Sequence, residues 1–524
     1  MIQVVNVFKN YGNREILKNI NFVISNNSRI GLIGLNGTGK STLMKIILKE
    51  EDSSSGSIIY VDDFVSYLPQ VIEFKDGDTV FSFLNREVKE EWEDYKIDKC
   101  LFDVGLEKID KNLEVKLLSG GQKTKLGFAR ILMSDPTTLL LDEPTNNLDL
   151  ETLDWLEKFL RNFYGNVLII SHDRKFLDNV VNKVFELDFY THKIIEYIGG
   201  YSDYVIQKAK KIEIEIENYK REQKKKKEME DWIALKTQQL SFYQSPKVAR
   251  QLQSYKKRFE RENSGFVEKH ASSKKIKINN ISETVDSSKL IFRINTLKCR
   301  NLIYCKNLDC YGGDRIHLEG KNGSGKTTFL KILLKQINDY SGDVFFGNNL
   351  KIGYFSQEHE TLDNNMRIVD EFIANTNIKN EAIARDILGK FLFVGDKVFE
   401  KVKNLSQGEK VRLIIAELIN QDNNFIFFDE PTNHLDIESR EVLETAISAY
   451  NGGFLMISHD RYFVENININ RKFEISNGSL INSPYKATGI TYFDDDHYEN
   501  YLKKEWGVTD EGDDERWMRT YKIQ

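Results

Sequence analysis

One set of short motifs occurs twice along the chain, and any fold must accommodate it twice. The first copy reads GLNGTGKST, YLPQ, LSGGQ, LLLDEPTNNLD and ISHDR; the second reads GKNGSGKTT, YFSQ, LSQGE, IFFDEPTNHLD and ISHDR. Lys40 and Lys326 lie 286 positions apart, while Gln70 and Gln357, Ser119 and Ser406, Glu143 and Glu430, and His172 and His459 each lie 287 apart. So constant an offset marks a duplicated domain of about 200 residues.

In each copy a short apolar run, RIGLIG or RIHLEG, leads through a glycine-rich turn into a helix-like stretch, TLMKIILK or TFLKILLK. Strand, loop and helix in that order open an α/β unit. The later runs TTLLLD, NVLIIS, NFIFFD and GFLMIS have the unbroken hydrophobicity of strands buried in a parallel sheet. Each ends at a polar cluster, so functional groups are expected at the carboxyl ends of strands. The expected class is α/β, with two P-loop domains joined by an α-helical hairpin.

The turn matches GxxxxGK followed by Ser or Thr. Its glycines let backbone amides converge on phosphates, its lysine reaches the β and γ oxygens, and its hydroxyl binds Mg²⁺. Gly34, Gly39, Lys40 and Ser41 fill these roles in the first copy, with Leu35, Asn36, Gly37 and Thr38 lining the loop and Thr42 following. Gly320, Gly325, Lys326 and Thr327 do so in the second, with Lys321, Asn322, Gly323 and Ser324 in the loop and Thr328 after it. Hydrolysis also needs a second magnesium ligand and a group that orients water. Asp142 and Asp429 end apolar runs and suit the metal; Glu143 and Glu430, one residue on, are candidate general bases. His172 and His459, in ISHDR, are placed to contact the γ-phosphate.

Together these motifs resemble the ATP-binding-cassette family, whose further mark is the LSGGQ signature, here Leu118 to Gln122 and, as LSQGE, Leu405 to Glu409. The resemblance implies that Ser119, Gly120, Gly121 and Gln122 meet the ATP held by the second P-loop, and that Ser406, Gln407, Gly408 and Glu409 meet the ATP held by the first. Two ATP molecules then join the cassettes within one chain, which is expected to be a monomer. It also implies that Gln70 and Gln357 sense Mg²⁺ or the attacking water, and that Tyr11 stacks on adenine. Counting back from LKNI and CKNL puts Cys299 at the position of Tyr11, where no stacking is available. Gln407 replaces a usual signature glycine, so the two sites are expected to be unequal.

The net charge of −6 argues, as a bulk figure, against a nucleic-acid binder. It is an average of unlike parts. From Lys208 to Lys277 there are 20 Lys or Arg and 10 Asp or Glu, giving +10, while the tail from Asp494 carries 10 acidic and 5 basic residues. The expected layout is a first cassette over 1–205, a basic helical linker over 206–288, a second cassette over 289–486 and an acidic tail over 487–524. Within the linker, Gln207 to Lys236 reads mainly as one helix, with strand-like alternation in IEIEIE; a second helix resumes after the proline, leaving an exposed tip near Leu240 to Lys247.

Two cassettes on one chain with a charged two-helix linker resemble the F subfamily (ABC-F), which works on the ribosome. That resemblance implies that the linker enters the exit-tRNA site and approaches the peptidyl-transferase centre, with its lysines neutralising phosphates of ribosomal RNA and tRNA. Trp232, Phe242 and Tyr243 suit either base stacking or helix packing. Only 48 residues separate Gln70 from Ser119, too few for the arm insertion of some housekeeping members, and the tip is longer than in the simplest members. Both features lean toward protection of ribosomes from antibiotics over a general translation factor. The alternative is the energy module of a transporter with separate membrane chains. No run approaches the roughly 20 apolar residues of a membrane helix, and no leader is visible, so a cytoplasmic location is expected. Cys100, Cys299, Cys305 and Cys310 lack metal-ligand spacing and are expected to be buried thiols.

Overall fold

The computed structural model describes residues 1–484 apart from 26, 62, 88–94, 147, 244–249, 251, 255–286, 301, 356–361 and 434. The acidic tail, the linker's second helix beyond residues 250 and 252–254, and half of the expected tip lie outside the described residues.

In the first copy, strands Ile2–Tyr11, Arg14–Ile24 and Ser55–Tyr60 form an antiparallel sheet. It packs beside a second sheet whose order is Val65–Leu68, Thr138–Asp142, Asn166–Ile170, Arg29–Ile33, Lys183–Leu187 and Ile194–Ile198. All neighbours in that order are parallel except the last pair. The strands Arg29–Ile33, Thr138–Asp142 and Asn166–Ile170 are buried at every position, which accounts for their continuous apolar sequence. The second copy repeats this order from Leu290–Cys299 to Ser479–Pro484, with a single bridge, Tyr304 to Ser479, joining its two sheets. All four cysteines are buried free thiols, as expected.

Parallel pairing brings the carboxyl ends of the central strands to one edge. Asp142 lies beside Ile170, and Asp429 beside Ile457, so the loops that follow these strands and the P-loops share one rim. The repeat is thus built around two equivalent rims.

The linker begins as one helix, Tyr201–Tyr243, of 43 residues, spanning about 65 Å at 1.5 Å per residue. It starts earlier and runs further than the sequence pattern indicated, and it passes through the 205/206 boundary without a break. The alternating Ile212 to Glu217 is helical, not extended. The reason lies at the helix base: Tyr201 and Tyr204 are buried against the first cassette, Asp203 accepts from the amide of Gly200, and Lys208 pairs with Glu186 at 2.6 Å. A helix nucleated there needs no partner for its alternating isoleucines, and Ile214 and Ile216 are exposed. Among the described residues no helix is long and apolar enough to cross a membrane.

Candidate active site

Each P-loop wraps its lysine. Lys40 Nζ donates to the carbonyls of Gly34 at 2.7 Å and Leu35 at 3.0 Å; Lys326 Nζ donates to Gly320 at 2.5 Å and Lys321 at 3.2 Å. Gly39 and Gly325 cap the following helices with φ of 104° and 101°, in the left-handed region. A side chain on Gly39 would also strike Ile16, so the turn needs glycine on two counts. Leu35, Asn36, Gly37 and Thr38, like Lys321, Asn322, Gly323 and Ser324, form the bend, and Thr42 and Thr328 continue the helices.

The Ser41 hydroxyl bonds the Asp142 carboxylate, and that of Thr327 bonds Asp429. A hydroxyl beside a carboxylate at a phosphate loop is an all-oxygen donor set suited to Mg²⁺. Burial raises both aspartates, while the hydroxyl and the nearby lysine pull them down. Gln70 follows the strand Val65–Leu68, whose Leu68 pairs with Leu141, so it stands level with this pair. Gln357 lies outside the described residues.

Glu143 and Glu430 both adopt left-handed backbone conformations, with φ of 50° and 49°. Such strain in a non-glycine residue persists only where the surroundings impose it. Here the amide of Glu143 is held by the Ile170 carbonyl at 2.9 Å, and that of Glu430 by Ile457 at 3.0 Å. His172 Nε2 lies 3.5 Å from Glu143 Oε1, and His459 Nε2 lies 3.4 Å from Glu430 Oε1. Burial pushes each glutamate up to about 7; Arg440 and Lys40 oppose this at Glu143, and Lys326 opposes it at Glu430. Burial holds His172 well below its ordinary value and His459 down to about 4, so both imidazoles are neutral. Glu143 Oε1 and His172 Nδ1 are buried with no hydrogen-bond partner. A carboxylate that titrates near neutrality beside an unsatisfied imidazole suits proton transfer from water to a phosphate-loop substrate.

The signatures open the helices Gly120–Leu132 and Gln407–Asn420. Ser119 and Gln122 close a capping box, as do Ser406 and Glu409, so Gly120, Gly121, Gln407 and Gly408 lie in the first helical turns. The two caps differ in charge. Glu409 is ionised, its pKa held down chiefly by Lys397 and the amide and hydroxyl of Ser406 despite burial, whereas Gln122 is neutral.

The cassettes meet across these rims. The amide of Asn36 donates to Asp436 at 3.4 Å, and that of Asn322 donates to Asp149 at 3.4 Å, each crossing from one P-loop to the loop after the other copy's Asp-Glu strand. A cavity of about 330 Å³ lies at the second P-loop, with Lys326, Asp429, Glu430 and His459 from one cassette and Asn146 and Leu153 from the other. Asp149 and Asp436 escaped the sequence reading, although their place in TNNLD and TNHLD repeats like the rest. Tyr11 is half exposed at the end of its strand, its hydroxyl bonded to Glu51, and Cys299 is buried with its thiol on the Asp339 carbonyl at 3.4 Å. Leu302, which the sequence reading also missed, lines the cavity at the second P-loop instead.

The ABC transporter family model matches residues 17–146 and 306–433, and an ABC transporter extension model matches 187–279. ATP-binding protein Uup of Buchnera aphidicola is 36% identical over 93% of this chain and 83% of its own length, and Uup of Escherichia coli is 32% identical over 89% and 79%. ABC transporter F family member 5 of Arabidopsis thaliana is 30% identical over 91% of this chain and 75% of its own. The chain belongs to the ABC-F subfamily. Like other tandem-cassette proteins, this ABC-F chain is an ATPase. Its fold also matches a solved complex of the archaeal ribosomal stalk protein aP1 and the archaeal ribosome recycling factor aABCE1, with TM-score 0.62 and 17% identity over 95% of this chain and 92% of that one.

Proposed function

We propose that this ABC-F ATPase works on the ribosome, where ATP closes the two cassettes and the interdomain helices reach the exit-tRNA site and the peptidyl-transferase region. One observation carries the reading: a 43-residue helix leaves the first cassette and bears the lysine run Lys224 to Lys227. The resemblance to the F subfamily implies work on the ribosome, and lysines on a projecting helix neutralise RNA phosphates without reading sequence. One chain supplies both halves of each site, so no second copy is needed.

In each site the lysine of the P-loop binds the β and γ oxygens and the amides of the loop fix them. Ser41 and Asp142, with Gln70, would hold one Mg²⁺, and Thr327 and Asp429, with Gln357, the other; the metal would supply positive charge to offset the charge that develops on the phosphate oxygens. Glu143 and Glu430 take a proton from the attacking water, and neutral His172 and His459 donate to the γ-phosphate. Signature residues Ser119 to Gln122 and Ser406 to Glu409 complete the opposite sites. Of the cellular roles, protection of ribosomes from antibiotics fits the short 71–118 span better than a general translation role.

Changing Glu143 and Glu430 together to Gln should hold the protein on ribosomes in the presence of ATP, and ribosome pelleting measures this. Sedimentation of that variant as free protein would sink the proposal. Drug-susceptibility testing of a host expressing the protein separates protection from a housekeeping role.

A further inference from the structure

The two cassettes differ at one buried position beside the site. Arg440 sits on the helix Ile437–Ala449, and the position 287 residues earlier is Leu153. Arg440 Nε donates to the Leu435 carbonyl at 3.2 Å, and Nη1 to the Asp460 carboxylate at 2.7 Å. The same Nη1 crosses the cassette boundary and donates to the His172 carbonyl at 3.0 Å. Leu153 is buried and has no group to do likewise for His459.

The His459 loop is held from within its own cassette. His317 Nε2 donates to the Ser458 carbonyl at 3.0 Å, and the residue matching His317 in the first copy is Gly31. One histidine loop is thus fixed in trans by a guanidinium, the other in cis by an imidazole. The rest of the two loops is alike: Asp173 and Asp460 each cap the next helix, and Ser171 and Ser458 each accept from an aspartate amide at 3.1 Å.

We propose that Arg440 is a positioning residue, supplied in trans, that makes placement of the His172 loop beside Lys40 and Glu143 conditional on docking of the second cassette, whereas the His459 loop beside Lys326 and Glu430 is anchored within its own cassette. Placement of His172 at the first site is then tied to closure. The inference rests on Glu143 and Glu430 being the bases.

The charged groups facing Glu143 are Asp142 on its own strand, Lys40 from the P-loop, neutral His172 from the neighbouring loop and Arg440 from the other cassette. Asp436 faces Lys40 from that same cassette. Arg440 also faces Asp460 and Asp173, two buried carboxylates that oppose one another. Without Arg440, the His172 loop loses its anchor across the cassette boundary.

The test is ATP turnover of the full chain, with either Glu430→Gln or Glu143→Gln silencing one site. With Glu430→Gln, Arg440→Leu should lower kcat by roughly five- to tenfold and leave KM nearly unchanged. With Glu143→Gln the loss should be several-fold smaller. Arg440→Lys keeps a cationic donor without the planar fork, so it should recover only part of kcat. Equal losses in both backgrounds, or no recovery with Arg440→Lys, would overturn the proposal. If instead each single Gln variant keeps the parent's full turnover, the base assignment fails, which is a separate result.

Discussion

Arg174 of the first cassette pairs with Glu444 of the second, and Arg461 pairs with Glu157 with the cassettes exchanged. Both arginines end the histidine motif ISHDR, and each pair is related to the other by the 287-residue offset. Arg174 is 2% exposed and its guanidinium also lies 3.9 Å from the centre of the Tyr462 ring. The position matching Tyr462 holds Lys175, so the Arg174 side of the interface is the more tightly packed.

Removing one partner of a buried ion pair leaves the other charge desolvated, at a cost of about 3 kcal/mol. Arg174→Ala should therefore weaken ATP-dependent closure by about a hundredfold in the equilibrium between open and closed forms. Fluorescence transfer between labels on the two cassettes reads this in the Glu143→Gln, Glu430→Gln protein. Exchanging the charges, Arg174→Glu with Glu444→Arg, should recover part of the loss. Closure unchanged by Arg174→Ala would mean that the pair does not hold the cassettes together.

Glu417 gives a stability prediction of definite sign. It is buried on the helix Gln407–Asn420, its Oε1 has no hydrogen-bond partner, and Asn375 Nδ2 donates to its Oε2 at 3.3 Å and to Glu371 at 2.9 Å. Burial, and then the charge of Glu371, push Glu417 up to about 8 from 4.5. A carboxyl raised on folding contributes stability that is present in full below about pH 4.5 and is lost as pH rises toward about 8. At pH 7 the loss is about 3 kcal/mol, at 1.36 kcal/mol per pH unit. Glu417→Gln should remove most of this penalty, so its gain in Tm should grow from pH 5 to pH 8. A gain independent of pH would exclude the titration as its cause.

The two cassettes and their sites were legible because their chemistry is local. A P-loop, an Asp-Glu pair and a histidine after apolar strands are each recognisable within a few residues, and duplication states each twice. Contacts between the cassettes were not legible. Asp149 and Asp436 repeat faithfully, yet only the docked arrangement places them on Asn322 and Asn36. Arg440 is harder still, because it has no repeat and reads as one more charged helix residue. The alternation of Ile212, Ile214 and Ile216 left the start of the linker helix open for a tertiary reason: the helix is set by Tyr201 and Tyr204 at its base, not by its own pattern. Leu302 escaped because three residues separate Cys299 from Ile303 where two separate Tyr11 from Arg14, which shifts the register there.

The lysine run Lys224 to Lys227 lies within the projecting helix. If it meets phosphates, replacing all four with Gln should lower ribosome affinity and flatten its salt dependence. Each lost phosphate contact removes about 0.7 to 0.9 from the slope of log K against log salt, so the slope should fall by up to about 3. ATP turnover of the free protein should hold, since none of the four touches a nucleotide site. An unchanged slope with weaker binding would point to damage to the helix in place of lost phosphate contacts.

Glu409 places a charge in the signature proposed to complete the first site, where the other signature has neutral Gln122. It caps the signature helix beside Ser406 and stays ionised through Lys397 and Ser406. A carboxylate at a helix N-terminus suits the helix dipole but repels the γ-phosphate that this end is proposed to meet. Lys397 offsets part of that repulsion, leaving a net cost of about 1 kcal/mol at the effective dielectric of a protein rim. Glu409→Gln should therefore lower KM for ATP at the first site about fivefold, measured in the Glu430→Gln background, while the same change in the Glu143→Gln background should leave KM in place. The gain should shrink at high salt, because screening weakens the repulsion that the substitution removes. A fivefold change that salt leaves untouched would have to come from rearrangement of the cap itself.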